Sequence, residues 1–276
     1  MITEVDNNFK KLKFRLFITP ALLLMFIGLV FFFNNAINPI AYIDFQKKWF
    51  YDLNAFLSQI PNFQYNITQF GDASICLSIL TILFLKYPKL WEALISASIF
   101  SAIFSKILKE FFCVPRPASA LDTNSFIIIG KMLPGSTSSL PSGHSITIMT
   151  VLTVLMFAFE PKNNLKKTIW FAAFLTTGLI VAMSRVAIGA HFPIDVMIGC
   201  IVGYISGISG IFFSRKYNFL SWISLKKYYP VFIVIYLIAT IFIVYKITLE
   251  NLIIFYITLI CLLYSITNIC IAYVKK

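Results

Sequence analysis

His144 closes the run Pro141-Ser142-Gly143-His144, and His191 lies seven residues after Ser184, inside the run Ser184-Arg185-(five residues)-His191-(three residues)-Asp195. These are the only two histidines in 276 residues. Upstream stands Lys109-(six residues)-Arg116-Pro117. Two imidazoles, three permanent cations and one carboxylate match the needs of phosphoryl transfer through a covalent histidine intermediate. Phosphoryl transfer leaves a protein mostly positioning and electrostatics to supply. Arg116 and Arg185 offer planar forks for bidentate contact, and Lys109 adds a point charge. Ser142 and Gly143 open a helix whose free amides and dipole suit an anion, and Gly143 allows close backbone approach.

His191 reads as the nucleophile. Asp195 follows four residues later, so one helical turn brings its carboxylate towards an imidazole nitrogen, fixing the tautomer and activating the other nitrogen. Pro193 between them suits a helix start. His144 then reads as the general acid for the leaving oxygen and, afterwards, the base that activates water. Each piece alone has a bland reading: a structural histidine, a snorkelling arginine, a Pro-Ser-Gly turn. Their joint occurrence favours a site.

The elements that must hold these residues are membrane helices. The chain is 59% hydrophobic and 12% charged, against roughly 25% charged in soluble domains. Eight runs have the apolar character of a span: about 16–35, 73–87, 92–112, 143–160, 168–187, 194–213, 229–246 and 252–272. The second is short. Most of the 23 cations fall in alternate connections, around Lys10 to Arg15, Lys86 and Lys89, Lys162 to Lys167, Arg215 to Lys227, and the C-terminal lysines. The positive-inside rule puts these stretches and both termini in the cytoplasm. All three motifs then fall on the outer face. The net charge of +12 is thus topological, and no basic helix or aromatic platform suggests nucleic acid. Residues 45–56 read as an amphipathic helix on the outer bilayer surface, and 217–228 as a similar one inside.

The five cysteines show no metal-ligand spacing and no paired framework. The basic N-terminus before the first apolar run reads as an uncleaved signal anchor. Gly71-Asp72 precedes the second run, where a carboxylate is favourable at a helix N-terminus. The expected fold is all-α: a polytopic bundle with a six-helix catalytic core and two extra C-terminal spans. The expected division is 1–215 for the membrane-embedded core and 216–276 for a cytoplasmic connector plus those two spans.

The three motifs, in order and without a departure, resemble the type 2 phosphatidic acid phosphatase superfamily in its integral-membrane lipid phosphatase branch. The resemblance implies a six-helix core over roughly 16–213 and dephosphorylation without metal or cofactor. It implies His191 as nucleophile, Asp195 as its partner and His144 as acid/base, with Lys109, Arg116, Ser142, Gly143 and Arg185 (beside His144) on the phosphate. Lipid A, undecaprenyl diphosphate, phosphatidylglycerophosphate and phosphatidic acid are the implied substrate classes. The expected location is a bacterial inner membrane, with the site on the periplasmic face. Two other readings remain. A phosphohistidine intercepted by an acceptor other than water makes a lipid phosphotransferase. A transporter or scaffold retaining the fold needs no nucleophile and acid together, and the paired repeats of transporters are not found.

Overall fold

The computed structural model of the chain describes residues 4–131 and 137–275, and among these it forms helices and no strand. The order is α1 (Glu4–Lys10), α2 (Ile18–Phe33), α3 (Pro39–Leu57), α4 (Pro61–Ile67), α5 (Ala73–Leu80), α6 (Pro88–Phe112), α7 (Pro117–Ala120), α8 (Gly143–Ala158), α9 (Asn164–Ala187), α10 (Pro193–Tyr217), α11 (Tyr229–Leu249) and α12 (Ile253–Val274). Six of them (α2, α6, α9, α10, α11 and α12) are long and apolar enough to cross a membrane. This is a multi-pass membrane protein, and large apolar side chains such as Leu22, Phe26, Ile238 and Ile260 point outward from the bundle. Backbone groups in hydrocarbon must be satisfied within their own segment, which explains the helices.

Two expected spans take another form. The 73–87 run forms only α5 and a 3-10 turn, Thr81–Leu83, before Pro88 opens the next helix. That length rises about 17 Å, little more than half of a ~30 Å hydrocarbon core, and it meets Pro61–Gly71 at 78°. The 143–160 run becomes α8, 16 residues long, surrounded by α6, α9 and α10. Glycines on α10 let it approach closely. A Cβ at Gly203 would stand 2.5 Å from the Ile146 carbonyl, and one at Gly210 would stand 2.3 Å from Ala97 Cα. Such small-residue seams are how membrane helices pack without a hydrophobic driving force.

The 45–56 reading needs correction. α3 begins at Pro39, and its buried face carries Tyr42, Gln46, Phe50 and Asn54 at four-residue spacing. It packs on α9 and α10, not on a bilayer surface alone. The 217–228 stretch is two 3-10 turns, Ser221–Ser224 and Lys226–Tyr228, with Ile223 buried. The α11–α12 hairpin is docked along the short α5: Ser265 Oγ donates to Thr81 Oγ1 at 2.8 Å, and the Ile254 amide donates to Asn66 Oδ1 at 3.2 Å. It shields a half-length helix from lipid.

The bundle has two chemically different ends. At one, Asn8 Nδ2 donates to the Ala158 carbonyl at 3.1 Å, Arg215 Nη1 donates to the Leu12 carbonyl at 3.3 Å, and Lys167 pairs with Glu160. The other end collects the C-termini of α6 and α9 and the N-termini of α8 and α10. Every motif residue sits on one of those four helix ends or on the connections beside them.

Candidate active site

Asp195 occupies the first turn of α10 and is fully buried. An uncompensated carboxylate there would be costly, and three donors satisfy it. Tyr42 hydroxyl donates to Oδ1 at 2.6 Å, and Ser139 hydroxyl donates to Oδ2 at 2.6 Å. The Phe192 amide donates to Oδ2 at 2.9 Å, which also caps α10. His191 lies in the turn before α10, 1% exposed. Its Nδ1 is 3.7 Å from Asp195 Oδ2, beyond hydrogen-bond reach. Ser139 Oγ stands 3.4 Å from the same nitrogen. The direct Asp195–His191 contact expected from the spacing is therefore a looser one. The serine that gives its proton to the carboxylate also faces the ring, because Asp195 Oδ2 is drawn to Ser139 and to its own helix cap.

The turn carrying His191 is fixed by the end of α9. The Ala190 and His191 amides both donate to the Arg185 carbonyl, at 3.0 and 3.2 Å. Gly189 takes φ +74, and a Cβ there would fall 2.8 Å from the Ile127 carbonyl, so this position needs glycine. Asn54 pins the same region. Its Nδ2 donates to the carbonyls of Ile127, Val186 and Ala187, and its Oδ1 accepts from the Ile127 amide at 2.8 Å. Gln46 Oε1 accepts the Ile194 amide at 2.9 Å.

Arg185, in the last turn of α9, is 4% exposed and donates from Nη1 to Thr68 Oγ1 at 3.0 Å. Arg116 stands at the start of α7, held there by the Pro117 that follows it. The Nε atoms of both arginines are buried without a hydrogen-bond partner among the described residues, and neither guanidinium has a carboxylate within ion-pair distance there. Lys109 approaches Gly143: a Cβ on that glycine would stand 3.4 Å from Nζ. Ser142 caps α8, its hydroxyl accepting from the Ser145 amide at 3.4 Å and the Ser145 hydroxyl at 2.9 Å. An α-helix leaves its first amides without intrahelical partners, so the Gly143–His144 end of α8 is oriented for an anion.

A cavity of about 260 Å³ opens over these groups, with Arg116, Arg185 and His144 among its walls. His144 is held from behind by Gly71, where a Cβ would come 2.5 Å from the histidine Cβ. The charges of Arg185, Arg116 and Lys109 all act against protonation of His191. Burial first, then Arg185, holds its pKa well below the usual imidazole value. That environment favours the neutral, nucleophilic form of the ring. Burial, and next the Asp195 charge, push Tyr42 above the usual phenol value, so it remains a donor to the carboxylate. Among the described residues, no three His, Cys, Asp or Glu side chains cluster as metal ligands do. Two histidines, a carboxylate and three cations at one end of the bundle are the groups that histidine-based displacement on a phosphate uses.

Sequence reasoning missed Tyr42, Gln46, Asn54, Thr68 and Ser139. The signal for three of them was present: Tyr42, Gln46 and Asn54 are spaced by four and by eight residues, on one face of an amphipathic helix. We expect Tyr42→Phe to lower kcat about 10- to 100-fold, the usual cost of removing an orienting partner behind a site. The protein should still unfold cooperatively. Wild-type kcat in that variant would show that Asp195 is held without the phenol.

Residues 90–222, just under half of the chain, match the family model of the PAP2 superfamily. It is 29% identical over 118 residues to the lipid A 1-phosphatase of Rhizobium johnstonii, covering 42% of this chain and 45% of that protein. It is 29% identical over 148 residues to phosphatidylglycerophosphatase B of Bacillus subtilis, covering 50% of this chain and 66% of that protein. The matches thus span about half to two thirds of the length of these curated relatives. The crystal structure of Aquifex aeolicus LpxE aligns with 60% of this chain and 94% of its own, at 26% identity and a TM-score of 0.49. The matched family segment contains Lys109, Arg116, Ser142, Gly143, His144, Arg185, His191 and Asp195, but neither α3 nor the α11–α12 hairpin.

Proposed function

We infer that this protein is a metal-independent lipid phosphatase that removes a terminal phosphate through a phosphohistidine on His191. The observation that carries this reading is the buried Arg185 and the half-buried Arg116, each with a buried, unpartnered Nε, beside two histidines. Buried cations without a counter-charge are costly, and a bound phosphate dianion would complete them. His191 Nε2 attacks phosphorus as the bond to the leaving oxygen breaks, and His144 gives that oxygen a proton. Water then attacks phosphorus, His144 takes its proton, the P–N bond breaks, and inorganic phosphate leaves with His191 free. Lys109, Arg116, Arg185 and the Ser142–Gly143 helix end hold the equatorial oxygens, where charge spreads in the transition state. Asp195, with Tyr42 and Ser139, fixes the position of the His191 ring.

The substrate is a membrane lipid phosphate: relatives named for lipid A and for phosphatidylglycerophosphate support that class, as does a cavity at one end of a membrane bundle. The site end faces away from the cytoplasm, since the lysine-rich connections lie at the other end.

The test is phosphate release by detergent-purified protein, with EDTA present, from lipid A, phosphatidylglycerophosphate, undecaprenyl diphosphate and phosphatidic acid. Release from at least one is expected, and strict dependence on a divalent ion would contradict the reading. Transfer of phosphate to an added acceptor lipid without release would make the protein a phosphotransferase. For sidedness, Cys113 is an exposed thiol at the site end. A membrane-impermeant maleimide should label it in intact spheroplasts and lose the label in Cys113→Ser. Labelling only after lysis would reverse the orientation.

A further inference from the structure

The deep end of the cavity belongs to motif residues, but its outer wall does not. Lys246, Leu249 and Glu250 come from the end of α11 and the residue after it, and Tyr65 and Asp72 come from α4 and from the cap of α5. All five lie outside the matched family segment. The wall is built rather than incidental. Lys246 Nζ lies 2.7 Å from Asp72 Oδ2, and Asp72 also accepts from the Ser74 amide and hydroxyl. The Lys246 ammonium stands over the Phe242 and Phe255 rings, at 5.2 and 5.6 Å from their centroids. The Glu250 carboxylate faces the Tyr65 hydroxyl. Gly130, at φ +78, lies so close to Tyr65 that a Cβ would stand 2.4 Å from its ring.

The two ends of the cavity therefore differ in charge. The deep end holds cations without counter-charges. On the other wall Asp72 is paired with Lys246, Glu250 has Tyr65 beside it, and Lys131 adds a further cation. Hydroxyl groups both donate and accept, so they fit paired carboxylate, ammonium and phenol groups. Leu249, Ile129 and Ile188 offer an apolar ledge between the polar groups, as the C–H face of a sugar or glycerol requires.

Resting on the phosphatase reading above, we propose that the α11–α12 hairpin builds a headgroup subsite for a polyol, a sugar or glycerol unit that carries the scissile phosphate. Glu250 and Tyr65 are its hydroxyl-binding residues, and Lys246 holds the wall to Asp72. A site built to hydrogen-bond hydroxyls discriminates strongly against ligands lacking them.

The experiment compares kcat/KM for phosphatidylglycerophosphate, whose scissile phosphate sits on a glycerol unit with one free hydroxyl, with that for phosphatidic acid, whose phosphate sits directly on the diacylglycerol. Glu250→Gln and Tyr65→Phe should each lower the ratio of the two about tenfold, the scale of one hydrogen bond to a charged group. Either variant alone suffices if the other yields no folded protein. A ratio that stays at the wild-type value, or falls of equal size on both lipids, would overturn the subsite and leave the phosphatase intact. Wild-type protein that releases phosphate from neither lipid nor from lipid A would overturn both.

Discussion

His191→Gln should cut phosphate release by a factor of about 10⁴ or more, the scale of removing a nucleophile from a site whose other parts survive. Folding should change little. His191 makes only a 3.4 Å approach to Ser139 through its side chain, and Asp195 keeps its three donors without it. The companion measurement is trapping. With His144→Gln, the water attack loses its base, so labelled phosphate should accumulate on the peptide containing His191 and survive alkaline but not acid treatment. Label elsewhere, or none with turnover intact, would remove His191 from its role. The pH dependence has a definite sign. A nucleophile must be unprotonated, and burial with nearby cations holds His191 below the usual imidazole range. Its protonation therefore silences the free enzyme only well below pH 6.5. An acid limb of kcat/KM at 6.5 that vanished in no substrate change would contradict that environment.

Arg185→Met should do two opposite things. Activity should fall by about 10² to 10³ in kcat/KM, because a preorganised donor at the developing charge is gone. Arg185→Lys should recover little of it, since a point charge does not reproduce the fork. Thermal stability should rise instead, because Arg185 is 4% exposed with an unpartnered Nε and no carboxylate beside it. Exchanging a buried unpaired cation for an apolar side chain of similar length relieves desolvation, a trade between stability and activity expected at functional sites. The check is a pair of melting curves with and without inorganic phosphate. Phosphate at a hundredfold excess over its dissociation constant stabilises the native state by about 2.7 kcal/mol. Wild-type protein should show that shift and Arg185→Met should not. Equal shifts in both would mean that the anion binds elsewhere.

The motifs were legible because phosphate chemistry needs rare residue types in this chain. Two histidines among 276 residues, each in a run of fixed residue types, stand out against an apolar background. The helices were legible for a related reason: lipid forces every crossing segment to be apolar and helical, and six such helices are present. What surrounds the motifs was less visible. Residues 45–56 carry enough aromatic and charged groups to pass for a surface helix, and only packing shows that Tyr42 reaches Asp195 across 153 positions of sequence. Ser139 lies in a polar loop with no periodicity to mark it. Its contact with both Asp195 and His191 depends on where that loop is laid down.

The sequence by itself determined the motif residues and the medium: two histidines, their companion cations and carboxylate, and a bilayer as solvent. Composition and short-range spacing carry those, because pKa, hydrogen-bonding capacity and hydropathy are properties of residue types. The tertiary structure decided the distances and the walls. It set Asp195 at 3.7 Å from His191 rather than in direct contact, and it bent the 73–83 segment against its neighbour. It also brought Lys246 to Asp72 across 174 residues, turning an apparent appendage into one side of the cavity. Those are outcomes of packing between segments remote in sequence, which no local pattern encodes.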